Sequence, residues 1–225
     1  MNAKIASLCF FFGTLAIVKG EFCYSDVVGA CSPSGSELSN CNAKYGAAHE
    51  VMKDLHNYVN VHITRNWQYL LMSTYFNNYE KNRAGFSKLY KELSDKAWGD
   101  AIDLIKYIGK RGGQMDFDFR KENNLAVSVD TYEMHEMSSL AKALDIQKHL
   151  AEESHSIHAE AMRRKHDFHD PEVGSFIENN FLHQHADTIR TLAGHTSDLK
   201  KLMGNTNDQS LALYFFDQYL QKTSL

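Results

Sequence analysis

Histidines are the most conspicuous chemistry-bearing side chains of this sequence, with twelve among 225 residues. A neutral imidazole can bind a metal ion or transfer a proton near neutral pH. His155 and His158 have a spacing found in metal sites, but spacing alone is a weak signal. With His166 and His169 nearby, solvent exposure on a helix is the simpler interpretation. The sequence contains no Ser-His-Asp set, phosphate-binding glycine loop or zincin motif.

Cysteines are the second group of reactive side chains. Cys23, Cys31 and Cys41 lie close together, with no histidine among them and no CxxC pair, so a zinc site is weakly supported. In an oxidising compartment they would form disulfides. Because three is odd, one thiol stays free or pairs with another chain. We favour one internal bridge and one inter-subunit bridge.

The first twenty residues have the pattern of a secretory signal peptide. Lys4 precedes an apolar run from Ile5 to Val18, which is too short to span a bilayer. Cleavage after Gly20 would direct the mature chain to the secretory pathway lumen or the extracellular space. A signal anchor is the alternative. No other membrane span is expected.

Composition excludes several classes of protein. The net charge of -4 gives no basic surface for nucleic acid, so none is expected as a partner. Removing residues 1–20 leaves 22 basic against 28 acidic residues. Only 2 Pro and 13 Gly argue against an all-β fold, which needs frequent turns.

Apolar residues recur every three or four positions in four long segments, a period typical of helices. The first two segments end at Asn77-Asn78 and at Arg111-Gly112-Gly113. The third is predicted from about Asp130 to His166. Asp170-Pro171 predicts the N-terminus of the fourth.

The order of these segments predicts an all-α four-helix bundle. A long connection, residues 114–129, separates the second helix from the third, and a short fifth helix covers Leu211 to Leu220. One long crossover between two helical hairpins is the ferritin-like variant of the bundle. We therefore divide the chain into a signal peptide (1–20), a cysteine-containing extension (21–43) and a ferritin-like diiron-type domain (44–225).

Local motifs resemble those of animal ferritins. Residues 60–62 and 71–76 are similar to their first helix, and residues 111–113 to the end of their second. Residues 170–178 resemble the start of the fourth helix, and 211–217 the fifth. The leader and the cysteines resemble secreted insect ferritins. The resemblance implies a 24-subunit shell that stores iron as a ferric mineral.

The resemblance also implies where a di-iron ferroxidase centre would lie. Such a centre needs several carboxylates and one imidazole on facing helices. Matching each helix to the family shows that most of the ligands are replaced, and only a neighbouring tyrosine is kept. The matched positions are His62, Tyr69, Ala97, Asp100, Ala151 and His185.

This donor set indicates a light-type subunit without ferroxidase activity and without a di-iron catalytic centre. His62, Asp100 and His185 are expected to face the bundle interior as a buried hydrogen-bonded cluster. Binding of a single metal ion there, or an atypical active oxidase, remains open. Heavy-type subunits would supply oxidation in a hetero-24-mer, joined to this chain by an inter-subunit disulfide.

The resemblance implies roles for three surface features. Glu92 and Asp95 match a mineral-nucleation patch, although Lys96 weakens its field. Glu178 matches an acid of the threefold iron channel, whose second acid is replaced by Ser175. The face formed by Leu211, Phe215 and Tyr219 matches a fourfold contact. Solvated surface acids and a helix that caps the bundle are the alternatives.

A carrier of small apolar ligands is a rival function, because a helical bundle can enclose a pocket. Native mass separates the two functions. A carrier would have the mass of one subunit, whereas a ferritin would have that of the shell.

Overall fold

The structure is a computed structural model that describes residues 23–24, 41–118, 134–163, 169–205 and 208–223. The described residues contain helices and no strands. The helices are α1 (Ala48–Phe76), α2 (Ala84–Lys110), α3 (Glu136–Ala161), α4 (Pro171–Ile177), a π-helical segment (Glu178–Leu182), α5 (His183–Asn205) and α6 (Gln209–Lys222). The helix α4, the π segment and α5 are continuous and form the fourth long helix.

Two helical hairpins build the bundle, as the sequence predicts. The helix α1 packs mainly against α2, and α3 packs against the fourth helix, while α1 and α3 join the two pairs. A continuous apolar core runs between them, formed by residues such as Leu55, Phe86, Leu140 and Leu192. The predicted four-helix bundle with a long second connection and a short last helix is confirmed.

The third helix is shorter than its predicted span from Asp130 to His166. It begins at Glu136, after His135 in extended conformation, and it ends at Ala161. The Ala161 carbonyl accepts a hydrogen bond from the backbone N–H of Asp170 at 2.8 Å, which turns the chain towards α4. Periodicity could not reveal this end. Residues 130–133 and His166 lie outside the described part of the chain.

Helix ends predicted from glycine and proline are confirmed. Gly112 adopts a positive φ of 71° just after α2, a conformation that favours glycine. The Gly113 N–H then bonds the Ile108 carbonyl at 2.9 Å, which closes the helix end. At the start of α4, the Asp170 side chain accepts from the Val173 N–H at 3.1 Å, directly before Pro171.

A buried ion cluster joins three parts of the chain at this end of the bundle. The Arg111 guanidinium donates to both carboxylate oxygens of Asp170, at 2.7 and 3.1 Å, and to Glu172 at 2.6 Å. It also donates to the Tyr45 carbonyl at 3.0 Å. Together with Tyr107, which bonds Glu172, these residues form the Arg111 cluster. Bidentate geometry makes such pairs strong.

The chain divides into two units, Met1–Asn42 and Ala43–Leu225. In the first, Cys23 and Cys41 form a disulfide with a Cα–Cα distance of 4.4 Å. This confirms the predicted internal bridge. Cys31 and the predicted signal peptide lie outside the described residues.

Several large apolar side chains remain exposed on the second unit. They include Trp67 on α1, Trp98 on α2, and Tyr214 and Phe215 on α6. Within the described residues, no helix is both long and apolar enough to cross a membrane.

Candidate functional site

The predicted interior positions lie on all four long helices. His62 on α1 and His185 on α5 are buried, and their rings stack with centroids 6.0 Å apart. Asp100 on α2 approaches from one side, with Oδ2 at 3.9 Å from Nδ1 of His62. Ala97 lies buried one turn before Asp100, and Ala151 on α3 is half-buried.

His185 belongs to a chain of hydrogen bonds that crosses the core. Its Nε2 lies 2.8 Å from the hydroxyl of Tyr58, and its Nδ1 lies 3.1 Å from Oε1 of Gln147. Gln147 in turn donates to the hydroxyl of Tyr69 at 3.2 Å, and Tyr69 donates to the Ala143 carbonyl. In the neutral tautomer that fits these bonds, Nδ1–H donates and Nε2 accepts. We call these four residues, Tyr58, Gln147, Tyr69 and His185, the His185 network.

His62 is buried without such bonds. Neither of its ring nitrogens has a hydrogen-bond partner among the described residues, and the side chain is fully buried. Tyr58 contacts it edge-on at 4.5 Å between ring centroids. Loss of water lowers the pKa of His62 well below its usual value, and the positive charge of Lys96 adds to this effect. His62 is therefore a neutral imidazole at pH 7.

Asp100 is the single carboxylate among the predicted ligand positions. Burial raises the pKa of Asp100 to about 6, although the neighbouring ammonium of Lys96 acts in the opposite direction. That ammonium lies 3.6 Å from Oδ1 of Asp100 and bonds the amide oxygen of Gln184 on α5. A lysine therefore already supplies the positive charge beside this carboxylate.

This arrangement does not fit a pair of iron ions. Two hard cations need several carboxylate oxygens, including a bridging one, to neutralise and join them. Asp100 offers one carboxylate, already paired with Lys96, and the alanines at positions 97 and 151 offer no donor atom. Burial also lowers the pKa of His185 to about 4, so it is a neutral hydrogen-bonded group. Of the three residues expected to form a hydrogen-bonded cluster, only His185 belongs to the His185 network, since His62 has no hydrogen-bond partner among the described residues and Asp100 pairs with Lys96.

The predicted nucleation residues lie on the surface of α2. Glu92 is half-buried, and Asp95 is exposed. Each is paired with the lysine four residues before it, since Lys88 lies 3.7 Å from Glu92 and Lys91 bonds Asp95. These lysines reduce the negative field that the pair could present to cations.

Glu178, the predicted channel acid, is the first residue of the π segment and is about half exposed. Two imidazoles flank its carboxylate. Nε2 of His158 lies 3.9 Å from one oxygen, and Nε2 of His183 lies 3.9 Å from the other. The sequence analysis missed this grouping because His158 is twenty residues from Glu178, and because residues five apart diverge on an ordinary helix.

The predicted contact face on α6 is exposed. Leu211, Phe215 and Tyr219 are 46%, 59% and 46% accessible in the single chain. The opposite face of α6 is fixed by Asp217, whose Oδ1 accepts from the N–H groups of Gly85 and Phe86 at 2.8 and 3.1 Å. Asp217 thus caps the N-terminus of α2 from a distant helix.

The profile of the ferritin-like domain matches residues 52–202. The chain belongs to the ferritin family. The resemblance seen in the sequence is thereby confirmed.

Insect ferritins are among the most similar relatives. The chain is 49% identical over 218 residues to a ferritin light chain of Trichoplusia ni, covering 94% of this chain and 93% of the relative. It is 42% identical to a ferritin light chain of Drosophila melanogaster, covering 93% and 94% of the two chains. A crystal structure of Trichoplusia ni secreted ferritin superposes with a TM-score of 0.83 at 48% identity, covering 91% of this chain and all of that one.

Proposed function

We propose that this chain is a non-catalytic light-type subunit of a secreted ferritin. It builds the shell and helps to hold a ferric mineral, while a heavy-type partner oxidises Fe(II). Membership of an iron-storing family supports the storage role. Identity of 49% and 42% to proteins named ferritin light chains supports the subunit type.

The main support for the proposal is the set of metal-binding atoms at the interior positions. The positions matched to ferroxidase ligands hold one carboxylate, and the ammonium of Lys96 lies 3.6 Å from it. Ala97 and Ala151 cannot coordinate a metal. Two iron ions would have to displace Lys96 and bind largely through imidazoles, which are poor at neutralising four positive charges. Oxidation at this position is therefore disfavoured, and the atypical-oxidase alternative loses its chemical basis.

Surface residues supply the remaining roles in this proposal. Glu92 and Asp95 contribute to nucleation, with a field weakened by their lysine partners. Glu178 contributes negative charge at a threefold channel. Leu211, Phe215 and Tyr219 cover one another in a fourfold contact of a hetero-24-mer, which would remove their exposed apolar area from water.

Fe(II) oxidation tests the proposal directly. The recombinant chain, free of any heavy-type subunit, is mixed with Fe(II) in air, and formation of ferric iron is followed by absorbance. We expect the rate to equal that of buffer. The same chain co-assembled with a heavy-type partner is the control and should oxidise iron rapidly. Fast stoichiometric oxidation by the chain alone would mean that the light-type assignment is wrong.

The cysteine segment supports a covalent link to the partner. Because Cys23 and Cys41 pair with each other, Cys31 is the cysteine that we assign to an inter-subunit bridge. Non-reducing gel electrophoresis of the secreted particle should show a heterodimer band that reductant removes. Replacement of Cys31 by Ser should abolish this band, whereas a band that persists would place the bridge elsewhere.

A further inference from the structure

A cavity of about 640 Å³ lies at the end of the bundle where α1 begins and α2 ends. Its wall is formed by residues from the stretch 44–53 and by residues 111–114. All of them belong to the second unit, Ala43–Leu225. The volume lies within the range of small-molecule sites, which is roughly 300–1,000 Å³. None of the roles proposed above uses this cavity.

The charged side chains in the cavity wall are positive. They are Lys44, Lys53 and Arg111, and no aspartate or glutamate is among the lining residues that the structure describes. Asp170 and Glu172 balance the charge of Arg111, so the excess comes from the two lysines. The whole chain, in contrast, has a net charge of -4. A concave wall with one sign of charge attracts ions of the opposite sign, here anions.

The first turn of α1 borders the same cavity. Ala48 and His49, the first two residues of this helix, are part of the wall. Ala47 occupies the N-cap position, and within the described residues no side chain caps this end of the helix. The N–H groups of a first turn lack partners inside the helix and lie at the positive end of its dipole. An anion in the cavity would take the place of the missing cap.

Arg111 and Tyr45 complete the wall. The Arg111 side chain is fully buried, yet its Nε has no hydrogen-bond partner among the described residues. An unpaired buried N–H costs free energy, so this donor favours an added acceptor. The guanidinium carbon also lies 4.2 Å from the centroid of the Tyr45 ring, which is 60% exposed. Together with Met52, this ring gives the cavity an apolar part beside its charged part.

We propose that this cavity binds a small organic phosphate. The phosphate group would lie beside Lys44 and Lys53 at the start of α1, and the carbon skeleton would contact Tyr45 and Met52. A phosphate monoester suits the charged part because it has up to two negative charges and several acceptor oxygens. The apolar part and the volume suit an attached organic group, for which inorganic phosphate has no counterpart.

Calorimetric titration of the assembled, iron-free particle tests this proposal with three probes: adenosine monophosphate, inorganic phosphate and adenosine. We expect one adenosine monophosphate site per copy of this chain, weaker binding of inorganic phosphate, and no binding of adenosine. Lys44→Gln and Lys53→Gln should each raise the Kd for adenosine monophosphate by about threefold or more, because each removes one exposed charge contact.

Two control variants accompany these substitutions. Lys148→Gln removes an exposed lysine of α3 that lies outside the cavity, and it should leave the Kd unchanged. Lys53→Arg keeps the charge and should restore most of the affinity that Lys53→Gln loses.

Three results would each show that the proposal is wrong. They are a Kd that is unchanged in both lysine-to-glutamine variants, equal binding of adenosine, and inorganic phosphate binding as tightly as adenosine monophosphate. Because the particle contains no iron, such a failure would leave the storage function untouched. A failed Fe(II) test would in turn leave the phosphate result standing.

Discussion

At the scale of single residues, the interior of this subunit contrasts two histidines that lie side by side. His185 has a partner for each ring nitrogen, whereas His62 has none among the described residues. A buried polar group without a partner costs free energy, and one with partners does not. The two residues should therefore respond oppositely to the same replacement.

Replacing His62 by Leu should stabilise the folded subunit by about 1 kcal/mol, because two unpaired nitrogens leave the core. His185→Leu is the matched comparison and should destabilise it by about 2 kcal/mol, since Tyr58 and Gln147 lose their shared partner. Guanidinium unfolding at equal protein concentration measures both changes. A loss of stability in His62→Leu similar to that in His185→Leu would contradict the proposed difference in hydrogen bonding between the two histidines.

His62 should also make stability depend on pH. Its pKa is lowered in the folded state, so the unfolded chain takes up the proton first, and the folded state loses stability relative to the unfolded state as pH falls below 6.5. Between pH 6.5 and 5 this loss amounts to about 2 kcal/mol if the folded state stays neutral. The wild-type chain should lose this amount relative to His62→Leu, measured by unfolding at each pH.

The raised pKa of Asp100 makes the free energy of unfolding depend on pH in the opposite direction. Its folded pKa of about 6 lies above its unfolded value, so its contribution is complete at low pH and is lost as pH rises towards 6. Asp100 is present in both proteins, so the part of its contribution that does not depend on the His62 ring 3.9 Å away cancels from the difference. Parallel stability curves for wild type and His62→Leu would show that His62 is not the titrating group.

Sequence reasoning located the interior residues but not their bonding. Matching to the family identified His62, Asp100 and His185 as inward positions, and their burial agrees with the apolar stripes on which the histidines lie. It could not find Tyr58 or Gln147, because a hydrogen bond between helices depends on the rotation of each helix about its axis. Nor could it place the Lys96 ammonium beside Asp100, although their i, i+4 spacing was a usable signal.

At the scale of helices, the sequence predicted the number, order and most ends of the elements, because periodicity, Gly112 and Asp170-Pro171 are local signals. The π segment was not predicted from the sequence. Its asparagine pair, Asn179-Asn180, resembles any polar stretch on a helix surface, and the distinguishing feature is where the side-chain amides bond. The ends of α3 were not predicted either, because its C-terminal turn depends on a hydrogen bond from the backbone N–H of Asp170 to the Ala161 carbonyl.

The docking of α6 depends on the absence of a side chain at Gly85. A Cβ there would lie 2.1 Å from the Asp217 carbonyl oxygen, so the two helices would have to separate. Gly85→Ala should lower the free energy of unfolding by about 1–3 kcal/mol and expose α6 to limited proteolysis.

Gly99→Ala on the same helix is the control for this substitution. Apart from the surrounding backbone of its own helix, no heavy atom of the described residues lies within 4 Å of a Cβ at that position, and alanine is the better helix former, so stability should rise by up to about 1 kcal/mol. If Gly85→Ala were as stable and as protease-resistant as Gly99→Ala, the close approach of α2 and α6 would be wrong.

At the scale of the whole molecule, the exposed apolar face of α6 predicts association. Leu211, Phe215 and Tyr219 are about half accessible in the single chain, which is costly in water. Native mass spectrometry of the secreted particle should give the mass of about 24 subunits, in keeping with the closed point-group symmetry of most oligomers. The variant Phe215→Asp should shift the mass towards smaller species.

Ser210→Asp, in the first turn of the same helix, provides a control for one added negative charge, because Ser210 is exposed and lies about 140° around the helix axis from the centre of this face. It should leave the mass unchanged. A wild-type mass of one subunit would instead support the carrier of small apolar ligands.

The Arg111 cluster also bears on the order in which the chain folds. Its bonds connect residues 59, 61 and 66 positions apart, whereas each hairpin is held by nearer neighbours. Closing long loops costs entropy before any bond is gained, so we expect the hairpins to form before the cluster. Local unfolding of the native protein should therefore begin at the Arg111 cluster. Amide hydrogens around Tyr45 and Asp170 should then exchange with solvent sooner than those in the middle of α1 and α2.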